Sequence, residues 1–319
     1  MCAFFSKLFN VPTEPEPKEF RDPVFLIGLM RSGTTMLMNI LSEHPQLLKV
    51  GFELNNVWSE IGGAPCSINC SERTEEHYKP EYGNNMSAYF TRYIDESKRP
   101  IRHLARWSAK RFYRSGRVFY DWDNLYLLNK SPHLSNKIRY LNAMFPQAKF
   151  IVIVRDIYAQ SASLKVHLNQ YHENEKYYFE LPVNTNNCWT NHINPDLKKL
   201  PKENVFPPDF SMIPEYWIRM HKVIFEHLKH IPIDQQLVFK YEDFLNERAA
   251  YLSRVFDFLR LDNIHKKELT KIVESSRVIQ NTTTSGNPLT KWERVLTQEE
   301  KQIIEDRVSV NSDLISTFG

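Results

Sequence analysis

The sequence predicts an α/β fold in which a central parallel sheet carries helices on both faces. Three observations lead there. Short apolar runs alternate with longer segments of helical period, the pattern of successive βα units. The clearest run, Ala148–Val154 (AKFIVIV), is apolar and rich in β-branched residues, as a strand buried on both faces requires. A glycine-bearing turn, Gly28-Leu-Met-Arg-Ser-Gly-Thr-Thr35, joins the first apolar run to the first helical segment.

In order along the chain, residues 1–21 end in a Pro/Glu-rich stretch and read as a tail, leaving 22–319 as one domain. Pro23–Gly28 is a strand, Thr34–Ser42 a helix ended by His44-Pro45, and Leu47–Val50 a second strand. Asn84–Lys110 has helical period. Over 98–117 its cations Arg102, Arg106, Lys110 and Arg114 recur every four residues and share a face. Ile101, Leu104, Ala105 and Phe112 mark a separate apolar side, expected to pack on the core. The cationic face is expected to be solvated, or else to meet an acidic substrate or a membrane surface with anionic lipid. Leu125–Leu128 is a strand, and Ser131-Pro132 is an N-cap and first turn for a helix to about Phe145. After the 148–154 strand a helix runs to about Gln170. Residues 171–213 are polar, aromatic and without sustained period, which reads as a substrate-gating insertion. Helices at 214–230, 245–260, 265–275 and 297–308 and a strand at Leu237–Lys240 complete the domain.

The composition narrows the function classes. A hydrophobic fraction of 42% excludes disorder, and a net charge of +3 does not call for nucleic acid. No apolar run is long enough to span a bilayer and no signal-peptide pattern opens the chain, so a cytoplasmic protein is expected. Four cysteines are too few for a disulfide framework. Cys66 and Cys70 are read as plain thiols, with no metal site.

The chemistry starts in the turn. Gly28-x4-Gly33-Thr34-Thr35 has the frame of a phosphate-binding loop, in which backbone amides and a helix N-terminus cradle an anion. The loop also supplies the hydroxyls of Ser32, Thr34 and Thr35. The lysine that an NTPase or kinase needs is missing, Thr34 standing in its place, and the loop's cation is Arg31. A sulfuryl group carries less charge than a phosphoryl group and can be transferred without a metal, so the altered loop argues for sulfonate transfer. A second anion site comes from Arg155 at the end of the AKFIVIV strand and Ser163, two helical turns further on. A kinase reading would make Asp156 a metal ligand, where otherwise it caps its helix; a non-catalytic anion-binding module would use the 98–117 basic helix and need neither Glu53 nor Lys130. Ligands of such sheets sit beyond the carboxyl ends of the strands, where Arg31, Glu53, Lys130 and Arg155 all fall.

The segments FLIGLMRSGTT and NKSPHLSNKIRYLNAMFPQAKFIVIVRD, the Arg155…Ser163 pair and LTKW resemble the sulfotransferases that use 3′-phosphoadenosine 5′-phosphosulfate (PAPS). The likeness is greatest to the Golgi-type branch of tyrosylprotein and carbohydrate enzymes, and a soluble member is implied. The resemblance implies a phosphate-loop sulfotransferase fold, PAPS as donor and a hydroxylated acceptor. It implies Glu53 as base, His133 as the alternative base, Lys130 as stabiliser of the bridging oxygen and Arg31 sharing the sulfonate. It also implies Tyr241 and the segment Ser276–Ser285 near the nucleotide, with Ser276 aiding the leaving group. Lys291 is implied at the 3′-phosphate. His167 stands where tyrosylprotein members have an arginine, which implies a weaker, pH-sensitive hold on that phosphate. The aromatic insertion favours a carbohydrate, a lipid or another small hydroxylated acceptor over protein tyrosine.

Overall fold

Strand β1 (Arg21–Ile27) lies at the centre of five parallel strands. β3 (Tyr126–Lys130) and then β2 (Leu47–Lys49) follow on one side, β4 (Lys149–Val154) and then β8 (Gln236–Lys240) on the other. This is a computed structural model, and it describes residues 20–66, 69–113, 117–182, 185–262, 269–274 and 287–313. Because side chains alternate across a strand, β1 feeds two cores. Val24 and Leu26 join Ile151 and Ile153 on one face, under α1 (Thr34–Leu41), α8 (Tyr241–Asn246) and α9 (Arg248–Phe258). Phe25 and Ile27 join Phe150 and Val152 on the other. That face is covered by α2 (Asn55–Glu60), α3 (Pro80–Lys98), α5 (Ile138–Met144), α6 (Ile157–Glu175) and α7 (Met212–Leu228). The parallel sheet with helices on both faces is therefore the fold that was expected.

Register sets the site. Leu26 pairs with Lys130, and Val154 pairs with Lys240, so β1, β3, β4 and β8 end at nearly one level. The turns that leave them converge there.

Three elements differ from the sequence expectation, each for a local reason. The 84–110 helix is two: α3 stops at Lys98, Arg99 is extended with ψ 141°, and α4 (Pro100–Tyr113) restarts at the proline. A residue before proline is pushed out of the α region, which breaks the run. Ser131-Pro132 opens only a 3₁₀ turn over Pro132–Leu134, with Ser131 Oγ accepting from the His133 amide at 3.1 Å. The chain is pinned there by Ser135, whose hydroxyl donates to the Gly28 carbonyl, so α5 begins only at Ile138. Within 171–213, α6 runs on to Glu175, after which β5 (Tyr177–Glu180), β6 (Thr190–Ile193) and β7 (Val205–Phe206) form a small antiparallel sheet in the order β6-β5-β7. Strands of four, four and two residues are too short to show a period.

The apolar side of α4 is not on the core, contrary to expectation. Ile101, Leu104 and Trp107 are 68%, 59% and 52% exposed. The reason is that α3 already covers this edge with Met86, Phe90 and Ile94, and α4 packs outside it. Residues 265–268 and 275 of the expected 265–275 helix lie outside the described residues.

Candidate active site

The turn between β1 and α1 closes on itself by a Ser32 amide bond to the Leu29 carbonyl at 3.1 Å. It needs left-handed backbone at Arg31 (φ 68°) and Gly33 (φ 99°). Only glycine fits at Gly33, where a Cβ would lie 2.5 Å from the Tyr241 ring. The turn is held from outside by Gln160, whose amide donates to the Met30 carbonyl, and by Arg155, which donates to the Arg31 carbonyl at 2.8 Å. Ser32 is fully buried and its Oγ has no protein partner, while Thr34 is buried at the helix start. An orphaned hydroxyl inside a loop of this shape fits an anionic guest.

Beside the turn, Lys130 at the end of β3 points at Glu53, Nζ to Oε1 at 2.6 Å. The two side chains are 3% and 23% exposed, so the ammonium is sealed and the carboxylate is open to solvent. Asn55 donates to the other carboxylate oxygen at 3.0 Å, and Ser131 donates to Asn55, which fixes the amide. The exposed ring of Phe52 covers Lys130 Nζ at 4.2 Å. Burial lowers the Lys130 pKa, Glu53 opposes that, and Arg31 lowers it further.

Arg31, Arg155 and Lys291 complete a crowd of cations. Burial first, and then the Arg155 charge, lowers Arg31. Lys291 is lowered by burial and then by Arg155 and Arg31, so the three cations lie within each other's fields. Arg31 Nε donates to Ser163 Oγ at 3.2 Å, and Arg155 stacks on the Tyr241 ring at 4.7 Å. Arg155 also donates to the Pro288 carbonyl, while its buried Nε has no partner. Cations held this closely repel one another, and an anion placed among them would relieve that repulsion. Ser163 thus meets the guanidinium of Arg31, whereas the sequence spacing pairs it with Arg155.

A model of the sulfotransferase family matches residues 23–265. The chain belongs to that family. The match spans the loop, Glu53, Lys130, Arg155, Ser163, His167 and Tyr241, and stops before Lys291. A search of curated proteins finds no match. Among solved structures, the sulfotransferase domain from the curacin biosynthetic pathway is 17% identical, covering 91% of this chain and 98% of that one, with a TM-score of 0.48. Sulfotransferase STF9 from Mycobacterium avium is 12% identical over 92% of this chain and 77% of that one, with a TM-score of 0.47. Mouse sulfotransferase SULT7A1, complexed with PAP, is 13% identical over 94% and 90%, with a TM-score of 0.44.

In this sulfotransferase His167 is pushed down to about 4 by burial and then by Arg31, so its ring is neutral near pH 7. The pH sensitivity expected of it is thereby moved into the acid range. Asp156 caps α6, accepting from the Ala159 amide at 2.8 Å. His133 is 5% exposed and packs on Trp189 at 4.6 Å, its ring within reach of the buried thiols of Cys70 and Cys188. Cys66 and Cys70 are free, as read from the sequence. Ser276 and Ser285 lie outside the described residues.

Sequence reasoning missed Lys49, Gln160 and Trp217. Lys49 ends β2 and its pKa is lowered by burial and by Lys130, which places it in the same cationic crowd. The strand-end rule that selected Lys130 would have selected it too. Trp217 donates its indole N–H to the Arg155 carbonyl at 2.9 Å from α7, a contact no local pattern announces. No helix among the described residues is long and apolar enough to cross a membrane.

Proposed function

We propose that the chain transfers the sulfonate of PAPS to a hydroxyl of a carbohydrate, lipid or other small acceptor, with Glu53 as base. The observation that carries this reading is the 2.6 Å Lys130–Glu53 pair beside a loop crowded with cations. Two anion sites fit a donor with two anionic ends. The loop amides, Ser32, Thr34, Thr35, Arg31 and Lys130 suit the 5′ end. Arg155, Ser163 and Lys291 suit the 3′-phosphate, with the Tyr241 ring under Arg155 and against Gly33 of the loop.

In the transfer, the acceptor oxygen forms a bond to sulfur as the bond from sulfur to the 5′-phosphate oxygen breaks. The acceptor proton goes to the Glu53 carboxylate, and adenosine 3′,5′-bisphosphate leaves with the electron pair. Asn55 keeps one Glu53 oxygen turned aside, leaving the other at the cation that handles the leaving oxygen. Lys130 and Arg31 oppose the negative charge that develops there. Glu53 is favoured over His133 because it is open to solvent while His133 is packed under Trp189.

The test has two arms. Adenosine 3′,5′-bisphosphate should raise the thermal midpoint where ATP with Mg²⁺ does not. Glu53→Gln should keep that rise and lower turnover from radiolabelled PAPS by about 10²–10⁴-fold, the usual worth of a general base. Full turnover in Glu53→Gln would end the assignment of the base, and stabilisation by ATP with Mg²⁺ alone would end that of the donor.

A further inference from the structure

The exposed face of α4 has the chemistry of a helix that lies in a lipid surface. Ile101, Leu104 and Trp107 are spaced by three, so they fall within a third of the helix circumference. Phe119 is 68% exposed and sits beside α4, its ring 4.7 Å from that of His103. Among the described residues these are four of the ten large exposed hydrophobics, and three of the four share one side of a single helix.

The charge is gathered in the same place. Eight lysines and arginines, and no aspartate or glutamate, lie between Ser97 and Tyr120. The whole chain carries only +3, so the remainder is net negative. Arg106 leans over the Tyr120 and Trp122 rings at 5.5 and 5.9 Å, and Lys98 lies over Trp122 at 6.0 Å. Long cationic side chains laid along aromatic surface beside an exposed apolar stripe are the arrangement of an interfacial helix.

We propose that α4 docks on a membrane surface carrying anionic lipid headgroups. A dissolved polyanion would meet the cations and leave Ile101, Leu104 and Trp107 in water. Only an occupant that is anionic outside and apolar beneath satisfies both halves of the face. Docking would bear on the active site through α3, against which α4 packs. Tyr93 of α3 accepts from the Gly51 amide at 3.2 Å and donates to the Lys49 carbonyl at 3.1 Å, two residues short of Glu53. The docking surface does not depend on which donor or base the enzyme uses.

The experiment is sedimentation of the full chain with vesicles of phosphatidylcholine, alone or with about 30% phosphatidylserine, with tryptophan emission read in parallel. Binding to the anionic vesicles only is expected, with a blue shift that Trp107→Phe abolishes. Each cation near such a surface is worth about fivefold in partitioning, so Arg102→Glu should lower binding tenfold or more. Leu104→Glu should do the same while leaving the thermal midpoint unchanged, since the side chain is exposed. Failure to sediment with anionic vesicles overturns the proposal, as does equal binding to phosphatidylcholine alone. Undiminished vesicle binding by Leu104→Glu, with competition by heparin, would assign the face to a soluble polyanion instead.

Discussion

Gly33 joins two requirements in one residue, a left-handed φ of 99° and contact with the face of Tyr241. An alanine there costs about 1–2 kcal/mol for the backbone alone, before its Cβ displaces the ring. Tyr241 in turn carries the Arg155 guanidinium, so the disturbance reaches both anion sites. Gly33→Ala should therefore lose most of the rise in thermal midpoint that adenosine 3′,5′-bisphosphate gives the parent enzyme. An unchanged rise would mean that the loop tolerates the shift and is not the anion cradle. At this scale Arg31, Arg155 and Lys130 were legible, because each follows a strand end that the apolar runs mark. The Glu53–Lys130 bond was not, since its partners are 77 residues apart and meet only when β3 lies beside β1 and β2. Gln160 and Trp217 were hidden for the same reason. Their role is to bind backbone carbonyls of the loop and of Arg155, and such partners leave no mark on composition.

Among the elements, α6 carries Gln160, Ser163 and His167 towards the site, so its start sets where all three stand. Asp156 fixes that start by accepting from Ala159, and its own amide donates to Glu242 at 3.2 Å. Asp156→Ala should cost about 1 kcal/mol of stability, the usual worth of an N-cap, while Asp156→Asn keeps the cap and stays near neutral. Thermal unfolding of both variants measures this. If Asp156→Asn instead abolished a turnover dependent on added divalent cation, Asp156 would be a metal ligand and not a cap. Elements with a strong period were legible to within a few residues, as β4 and α7 show. What failed was the junction chemistry. Pro100 divides one apparent helix into two, and the pinned Ser131–Ser135 turn delays another. The exposure of α4 could not be read from its own amphipathic pattern, which is the same whether the apolar stripe meets a core or a lipid surface.

Over the whole molecule, buried neutral histidines govern the response to acid. His221 is fully buried and pushed down to about 4, the Trp217 carbonyl opposing only part of the effect of burial. His167 is also near 4, and burial lowers His227 despite its 2.7 Å contact with Glu72. In the unfolded chain each returns to about 6.5. Between those values the unfolded state binds protons that the folded state refuses. For His167 and His221 the contribution is thus complete above pH 6.5 and is lost as the pH falls towards 4, by about 1.4 kcal/mol per pH unit for each ring that stays neutral, and His227 acts in the same direction. Asp156 and Glu242 act in the opposite sense, because burial raises both and the folded state then takes up protons first. That offset begins only towards the carboxylate range, leaving the upper part of the window to the histidines. The thermal midpoint should be level from pH 8 to about 6.5 and fall by several degrees by about pH 5, a few degrees per kcal/mol being usual for a chain of this size. His221→Gln should lower the midpoint at pH 7.5 yet flatten its decline, because one of the refused protons is gone. A midpoint as high at pH 5 as at pH 7 would show that these rings are charged in the folded enzyme and that burial does not hold them neutral.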